Sequence, residues 1–146
     1  MNTTNHTPTP TEKTPAEQLA DNLRGHIGTA NYYYLPHWGP HSLRYTDGIR
    51  DLCTQAECYW LLDELNVALH DRNEFAGGMW VVKITSHDTR GKIEIAFDFN
   101  TAGTPINSDG VRNVADYTKE LPFTDFPEGE FQFYIENKIA LLKSEY

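Results

Sequence analysis

The hydrophobic pattern changes its period near residue 77, and this change constrains the fold more than any other feature of the chain. Before it, apolar residues recur at helical spacing, at Cys58, Leu61, Leu62, Leu65, Ala68 and Leu69. After "AGG" at 76–78 they alternate with polar residues instead, at Trp80, Val82 and Ile84 and then at Ile93, Ile95, Phe97 and Phe99. The first spacing is typical of an amphipathic helix and the second of half-buried strands. The sequence therefore predicts a long helix followed by a β-hairpin with the polar turn "SHDTRG".

Three further segments complete the predicted sheet. "VADYTKEL" at 114–121 is a candidate third strand, the residues around "FQFYI" at 131–135 alternate again, and "IALL" at 139–142 returns after a turn at 137–138. "TAGTPINSDGVRN" at 101–113 has the composition of a long loop. We expect an α+β domain in which N-terminal helices pack on one face of a four- or five-stranded antiparallel sheet.

The N-terminus divides into a tail and a helix. Residues 1–13 contain no apolar side chain after Met1, so we expect a disordered tail. In "TPAE" at 14–17, Thr14 is a candidate N-cap, Pro15 suits the first helical position and Glu17 completes a capping box. We predict a short helix from about 15 to 24 and one domain spanning 14–146, with 14–25 as an added helix.

The net charge of the chain limits the classes of partner that it can bind. The chain has 21 acidic and 12 basic residues and a net charge of −9, which disfavours direct binding of nucleic acid or of anionic membrane. We expect a protein partner, either basic or itself nucleic-acid-binding. Apolar runs are short and the N-terminus lacks a basic, then apolar, leader, so we expect no membrane span and a cytoplasmic protein.

Two histidines and two cysteines raise the question of a zinc site. His37, His41, Cys53 and Cys58 could supply tetrahedral ligands, but four residues separate the cysteines and Cys58 falls on the apolar face of the long helix. We therefore expect buried free thiols, no metal and no cofactor. Asp47 with Asp51, and Asp63 with Glu64, are interpreted as solvated helix surface.

Catalytic motifs are not recognisable in the sequence. It contains no glycine-rich phosphate loop, no serine elbow and no His-Glu-x-x-His run. A cysteine nucleophile with a histidine base stays open, but nothing in the local sequence marks such a pair.

The densest aromatic stretch is "YYYLPHWGPHSLRYTDG" at 32–48. Its composition suits a loop that packs aromatic rings onto a core, and it also suits a protein-binding patch, since Tyr, Trp and Arg are enriched at interface centres. A nucleic-acid stacking platform is disfavoured because basic residues are scarce here. With two outward acids of the helical region, the candidate binding residues are Tyr33, Tyr34, His37, Trp38, His41, Arg44, Glu57 and Glu64.

Four motifs resemble those of an uncharacterised family of small bacterial, plasmid and phage proteins. They are "YTDG" at 45–48, "YWLLD" at 59–63, "TDFP" at 124–127 and the terminal "LLKSEY". The resemblance covers about 32–146 and implies a shared fold and a mobile-element setting, but no activity. It also implies that 45–48 and 59–63 form a folding unit, whereas 37–44 and 101–113 depart from a typical member.

Together these observations favour a non-enzymatic acidic interaction protein of a mobile genetic element. Its concrete version is an inhibitor of a host nucleic-acid-binding defence complex, since negative charge steers a protein toward basic grooves. The alternatives are a small hydrolase or metal-dependent nuclease, and a structural or assembly component that uses an exposed strand edge. A pocket lined by titratable residues would favour the enzyme, and a long unpaired edge would favour assembly.

Overall fold

A computed structural model describes residues 13–28, 31–35 and 42–146. The described chain forms helices α1 Pro15–Asn22, α2 Asp47–Gln55 and α3 Tyr59–Asp71, and short 3-10 helices at Asn73–Ala76 and Lys143–Glu145. Its strands are β1 Tyr32–Tyr34, β2 Arg44–Thr46, β3 Met79–His87, β4 Arg90–Ala96, β5 Asp98–Phe99, β6 Pro105–Ile106, β7 Tyr117–Leu121, β8 Gly129–Glu136 and β9 Ile139–Leu141. The α+β class is confirmed.

The main sheet is larger than predicted and is mixed. Its order is β1-β2-β9-β8-β3-β4-β7, so it has seven strands in place of four or five, and β5 and β6 pair separately. It is also not purely antiparallel, because β2 and β9 run parallel, with Arg44 opposite Ile139. The two strands that sequence analysis missed, β1 and β2, have three residues each, which is too short to show an alternating pattern.

The predicted N-terminal helix is present and packs on the domain. Thr14 accepts a hydrogen bond from the backbone N–H of Glu17 (3.1 Å), and Glu17 accepts one from the backbone N–H of Thr14 (2.9 Å), which completes the capping box. Ala16 is fully buried and its N–H donates to the carbonyl of Glu128 just before β8 (2.9 Å). Helix α1 is therefore docked against β8.

The long helix follows the predicted pattern, and all six residues of its apolar set are buried. Helix α3 also contacts both ends of the sheet. The side-chain oxygen of Asn66 accepts a hydrogen bond from the N–H of Leu43 (2.9 Å), next to β2, while Glu64 pairs with Lys119 of β7 (3.1 Å). Because β2 and β7 lie five strands apart in the order, the sheet must curve around α3.

The strands bury residues on both faces of the sheet. The helix side contains the alternating residues of β3, β4 and β8, among them Val82, Ile84, Ile93, Phe133 and Ile135. On the opposite face, Val81, Ala96 and Phe99 form a second, smaller cluster. Residues 98–116, which include β5 and β6, lie over this second face and are called the 98–116 cover.

Phe97 is the clear error in the predicted hairpin. We expected it on the inward stripe, but its side chain is 59% exposed. Strand β4 ends at Ala96 and the chain then leaves the main sheet for the small β5–β6 sheet, so the alternation is interrupted at Phe97. Phe99 is buried as predicted, but in the second cluster and not in the helix-side core.

The N-terminus of α2 is bound to the C-terminus of the chain. Thr46 is the N-cap, and its hydroxyl donates to the buried carboxylate of Glu145 (2.6 Å). The N–H groups of Gly48 (3.1 Å) and Leu142 (2.9 Å) donate to the same carboxylate. Two of the four motifs, "YTDG" and "LLKSEY", therefore meet at one buried site, and Glu145 anchors the chain end while Tyr146 stays 71% exposed.

The longest helix in the described part of the chain, α3, has 13 residues, and no helix there has the length and apolar character required to cross a bilayer.

Candidate functional site

Tyr33 is the predicted binding residue with the most contacts in the described chain. Its hydroxyl donates to the carboxylate of Asp47 (2.6 Å), and its ring lies 5.6 Å from the ring of Tyr45 and 4.7 Å below the guanidinium of Arg50. The hydrogen bonds from Tyr33 and then Asn31 lower the pKa of Asp47. Tyr33 therefore fastens edge strand β1 to the first turn of α2, which is a structural role.

A hydrogen bond between a histidine and a carboxylate lies beside this cluster. His26 Nε2 lies 3.0 Å from Asp51, and that hydrogen bond, followed by one from Gln55, lowers the pKa of Asp51. A concavity of about 420 Å³ opens between His26, Asp47, Arg50, Asp51 and Thr54. Both carboxylates already accept hydrogen bonds from protein groups, so they behave as helix surface with fixed partners.

The other predicted binding residues are distributed over separate places. Tyr34 is 53% exposed and lies opposite Arg44 in the β1–β2 pair, while Glu57 is exposed between α2 and α3. Glu64 lies on α3 next to β7. His37, Trp38 and His41 lie outside the described residues. The structure thus brings Tyr33, Tyr34 and Arg44 together and places Glu64 elsewhere.

The two cysteines are buried free thiols, as expected. A hydrogen bond with Cys58, and then burial, raise the pKa of Cys53, so this thiol stays protonated and is a poor nucleophile. The four-ligand zinc set includes two residues outside the described ranges, so the absence of zinc stays a prediction, which elemental analysis of purified protein checks.

A surface at the junction of α3 and β7 combines one exposed and one half-buried aromatic ring with acidic side chains. We call it the Trp60–Phe123 surface, and it surrounds a cavity of about 280 Å³ lined by Trp60, Glu64, Leu121, Phe123, Thr124 and Asp125. Phe123 is 72% exposed, Trp60 is half-buried, and Asp125 is exposed. Lys119 is paired with Glu64, which raises the lysine's pKa. Sequence analysis identified Glu64 here and missed Phe123.

The opposite face of the sheet contains a polar pocket. We call it the Lys83–Glu94 pocket, with a cavity of about 450 Å³ between strands β4 and β7 and the 98–116 cover. The ammonium of Lys83 donates to the carbonyl of Gly103 in the cover (2.6 Å) and lies 3.5 Å from Glu94. Both side chains are more than nine-tenths buried. Charged groups this deeply buried must be paired, and these two are.

Comparison with known proteins identifies the family. The model of a family of unknown function, DUF6876, matches residues 17–146. The chain belongs to DUF6876. The predicted resemblance to an uncharacterised family is thereby confirmed, and the match begins inside α1, upstream of the 32–146 range expected from motifs. No curated protein and no solved structure matches.

Sequence analysis of this DUF6876 chain missed the polar pocket for a definable reason. Lys83 and Glu94 occupy the polar positions of alternating strands, which in an antiparallel sheet are normally solvated. Their burial depends on the 98–116 cover, which has the composition of a loop. The one local signal is the lysine inside "WVVKIT", a single charge within an apolar run.

One further group of possible ligand atoms lies at the β3–β4 turn of the DUF6876 fold. His87, Asp88 and Glu128 each place one such atom within 4.8 Å of the others. All three side chains are exposed, and His87 contacts both Asp88 (3.3 Å) and Glu128 (3.8 Å). We assign no metal site to them, because exposed acidic groups commonly cluster without an ion.

Proposed function

We propose that this DUF6876 protein is a non-enzymatic acidic interaction protein that binds a basic protein partner through the Trp60–Phe123 surface. The observation that carries the proposal is the 72% exposure of Phe123 beside Trp60, with carboxylates of Glu64 and Asp125 at the same cavity. Interface centres favour large aromatic anchors that enter or border a pocket. Glu64 is paired with Lys119, so the exposed carboxylate of Asp125 is the group that favours a partner offering Lys or Arg.

The charge of the whole chain supports the same kind of partner. A net charge of −9 accelerates encounter with basic surfaces and repels acidic ones. The proposal includes a mobile-element setting and, as its concrete version, inhibition of a host nucleic-acid-binding defence complex. The family motifs support the setting, and the acidic surface suits a competitor for a groove that normally accepts nucleic-acid phosphates.

The alternatives have less support in the described chain. For the hydrolase or nuclease, the candidate nucleophile Cys53 has a raised pKa, and Asp47 and Asp51 already have protein partners. For assembly through a strand edge, the sheet ends in β1, of three residues, and β7, of five. Strand β7 also contains Lys119 and Glu120, and charges on an edge discourage pairing with another chain.

The test is partner recovery with a matched pair of variants. Phe123 and Phe97 are both exposed phenylalanines, at 72% and 59%, and only Phe123 lies on the proposed surface. Tagged protein is purified from its bacterial host and the bound proteins are identified by mass spectrometry. We expect wild type and Phe97→Ala to recover the same basic partner, and Phe123→Ala to lose it with an unchanged melting temperature. Equal recovery by both variants contradicts the proposal.

Salt dependence adds a second criterion. Recovery should fall as ionic strength rises, because screening weakens attraction between exposed opposite charges beyond a Debye length of about 8 Å at physiological salt. Equal recovery of the partner at low and high salt would mean that the acidic side chains of the Trp60–Phe123 surface do not contribute to binding.

The predicted aromatic loop is tested in the same assay. If Trp38 is the anchor, Trp38→Ala abolishes recovery and leaves stability nearly unchanged. Tyr45→Ala is the contrasting variant, since Tyr45 is only 9% exposed and packs its ring on Tyr33 and Tyr59, so its loss lowers stability first. Loss of recovery with Trp38→Ala but not with Phe123→Ala would move the binding site to the aromatic loop.

A further inference from the structure

The floor of the Lys83–Glu94 pocket consists of side chains in two neighbouring rows across the sheet. In the first row Lys83 of β3 lies opposite Glu94 of β4, which lies opposite Thr118 of β7. In the second row Lys92 lies opposite Glu120. Each row thus places one lysine beside one glutamate on the same face of the sheet, so the pocket contains both signs of charge.

Lys83 connects the cover to the sheet and lies between two carboxylates. Its ammonium donates to Gly103, lies 3.5 Å from Glu94 and 3.7 Å from Glu130, and sits 4.8 Å from the ring of Phe99. The contact with Gly103 is a hydrogen bond, whereas the contacts with the two glutamates are ion pairs longer than a hydrogen bond. Lys83 therefore holds the cover on the sheet and contributes a buried positive charge to the floor of the pocket.

Glu94, unlike Lys83, has ion pairs but no hydrogen bond with a described residue. Its side chain is 9% exposed and lines the pocket, yet within residues 13–28, 31–35 and 42–146 its carboxylate accepts no hydrogen bond. Its contacts are ion pairs at 3.5 Å with Lys83 and 3.9 Å with Lys92, both longer than a hydrogen bond. A buried carboxylate normally accepts hydrogen bonds, so Glu94 has capacity for a donor from a ligand.

Lys92 and Glu120 offer further charged groups to a ligand, nearer to the opening of the pocket. Lys92 is 42% exposed, and in the described chain its one ion pair is the 3.9 Å contact with Glu94. Glu120 is exposed and lines the same pocket. A carboxylate and an ammonium that lie 3.9 Å apart, with no hydrogen bond between them, match a ligand that has an ammonium and a carboxylate on the same or neighbouring carbons.

The cover that forms the roof is fixed by its own hydrogen bonds. Asn100 accepts from the N–H groups of Ala102 (3.0 Å) and Thr104 (2.9 Å), and the N–H of Asn113 donates to Pro105 (2.7 Å). Gly103 has φ +82°, and a side chain there would lie 3.1 Å from Glu130 Oε1. A backbone held in this way forms the pocket before a ligand arrives, which reduces the entropy cost of binding.

We propose that the Lys83–Glu94 pocket binds a small amino-acid-like zwitterion, whose ammonium donates to Glu94 and whose carboxylate pairs with Lys92. The cavity of about 450 Å³ lies in the range of about 300–1,000 Å³ typical of small-molecule sites. Its lining is mainly polar, with Thr104, Asn113 and Thr118 as further hydrogen-bonding groups, which selects a polar ligand. The pocket faces away from the helices and is independent of the Trp60–Phe123 surface.

The experiment titrates the full-length, isotope-labelled protein with a panel of the free amino acids and follows its amide resonances by NMR. We expect at least one free amino acid to shift the amides of Gly103, Asn113 and Thr118 in a saturable way at millimolar concentration. Its N-acetylated form, which lacks the ammonium, should not bind, and its C-amidated form should bind more weakly. Absence of any shift across the panel, or equal binding of the N-acetylated form, overturns the proposal.

Substitutions of Glu94 and Lys92 test the two proposed contacts with the ligand, to its ammonium and to its carboxylate. Glu94→Gln should weaken binding by about tenfold or more, since hydrogen bonds to charged groups are among the strong ones. Glu74→Gln, the same change on an exposed residue outside the pocket, should leave the affinity unchanged. Lys92→Gln should weaken binding of the free amino acid but not of its C-amidated form, and this comparison stands even if Glu94→Gln fails to fold. Equal effects on both forms would remove Lys92 from the site, and a loss of binding in Phe123→Ala would contradict the independence of the two surfaces.

Discussion

Replacing Gly48 by alanine tests the buried junction between the two ends of the domain. Gly48 is the second residue of α2, and alanine in a helix is ordinarily more stable than glycine by about 0.5–1 kcal/mol. Helix propensity alone therefore predicts that Gly48→Ala stabilises the protein. The structure predicts the opposite, because an added Cβ would lie 2.6 Å from Leu142 Cδ1 and would collide with the carboxylate of Glu145.

The size of the effect follows from what must move. Leu142 and Glu145 are both buried, at 4% and 5% exposure, so neither can swing into solvent without opening the core. Overpacking of this kind costs about 1–3 kcal/mol. Displacing Glu145 also weakens its hydrogen bonds from Thr46 and Gly48, and bonds to a charged group contribute about 1.5–3 kcal/mol. After subtracting the gain in propensity, we expect Gly48→Ala to lower the free energy of unfolding by about 2–4 kcal/mol.

Chemical denaturation monitored by tryptophan fluorescence measures this difference. Gly25→Ala is the matched control, because a Cβ at Gly25 meets no atom within 4 Å, and we expect a change near zero. A Gly48→Ala protein as stable as wild type would refute the reasoning, since it would mean that Glu145 and Leu142 do not close on α2 in solution.

Three further predictions concern the edge strand, the core and the exposed Phe97. Tyr33→Phe removes the hydroxyl that lowers the pKa of Asp47. The variant should therefore be less stable than wild type above pH 3.8, the ordinary pKa of Asp, and this difference should disappear as the pH falls through the lowered pKa of Asp47 in the folded protein. A difference in the free energy of unfolding that persists in acid would contradict this. Leu62→Ala should lower the free energy of unfolding by about 2–5 kcal/mol, because Leu62 is fully buried. Phe97→Ala should change it little, and a large loss would mean that Phe97 packs in solution.

The helix-side core was predictable because it depends on local periodicity. All six residues of the apolar set from Cys58 to Leu69 are buried, as the spacing predicts. The same holds for Trp80, Val82 and Ile84 on β3. Each of these elements is long enough for its period to be read from sequence, and the burial of one face follows from that period alone.

The number of strands in the sheet and the parallel pairing of β2 with β9 could not be predicted from local periodicity. Strands β1 and β2 extend it, and they join through the parallel pairing of Arg44 and Tyr45 with Ile139 and Ala140, nearly a hundred positions away along the chain. A three-residue strand has too few positions to define an alternation, and a pairing across such a distance leaves no local pattern. The curvature that lets α3 contact both β2 and β7 follows from the same non-local pairing.

The candidate pocket was missed because burial there comes from a layer that sequence analysis treated as a loop. On strands β3 and β4 alternate residues were assigned to the core and to solvent, yet Lys83 and Glu94, on the assumed solvent side, are nearly as buried as the core. What buries them is the 98–116 cover, attached to the sheet through Gly103 and Phe99.

The helix-side core and the 98–116 cover are stabilised by different contacts. The motifs "YTDG", "YWLLD" and "LLKSEY" lie on the helix side or at its junction with the chain end, where Thr46, Gly48 and Glu145 close the core. Residues 101–113 belong instead to the cover, and Lys83 is the buried charge that binds it. A different cover that still offers a carbonyl to Lys83 would leave the helix-side core untouched and would change the roof of the pocket. The contacts that close the helix-side core are therefore separate from the contact that holds the cover on the sheet.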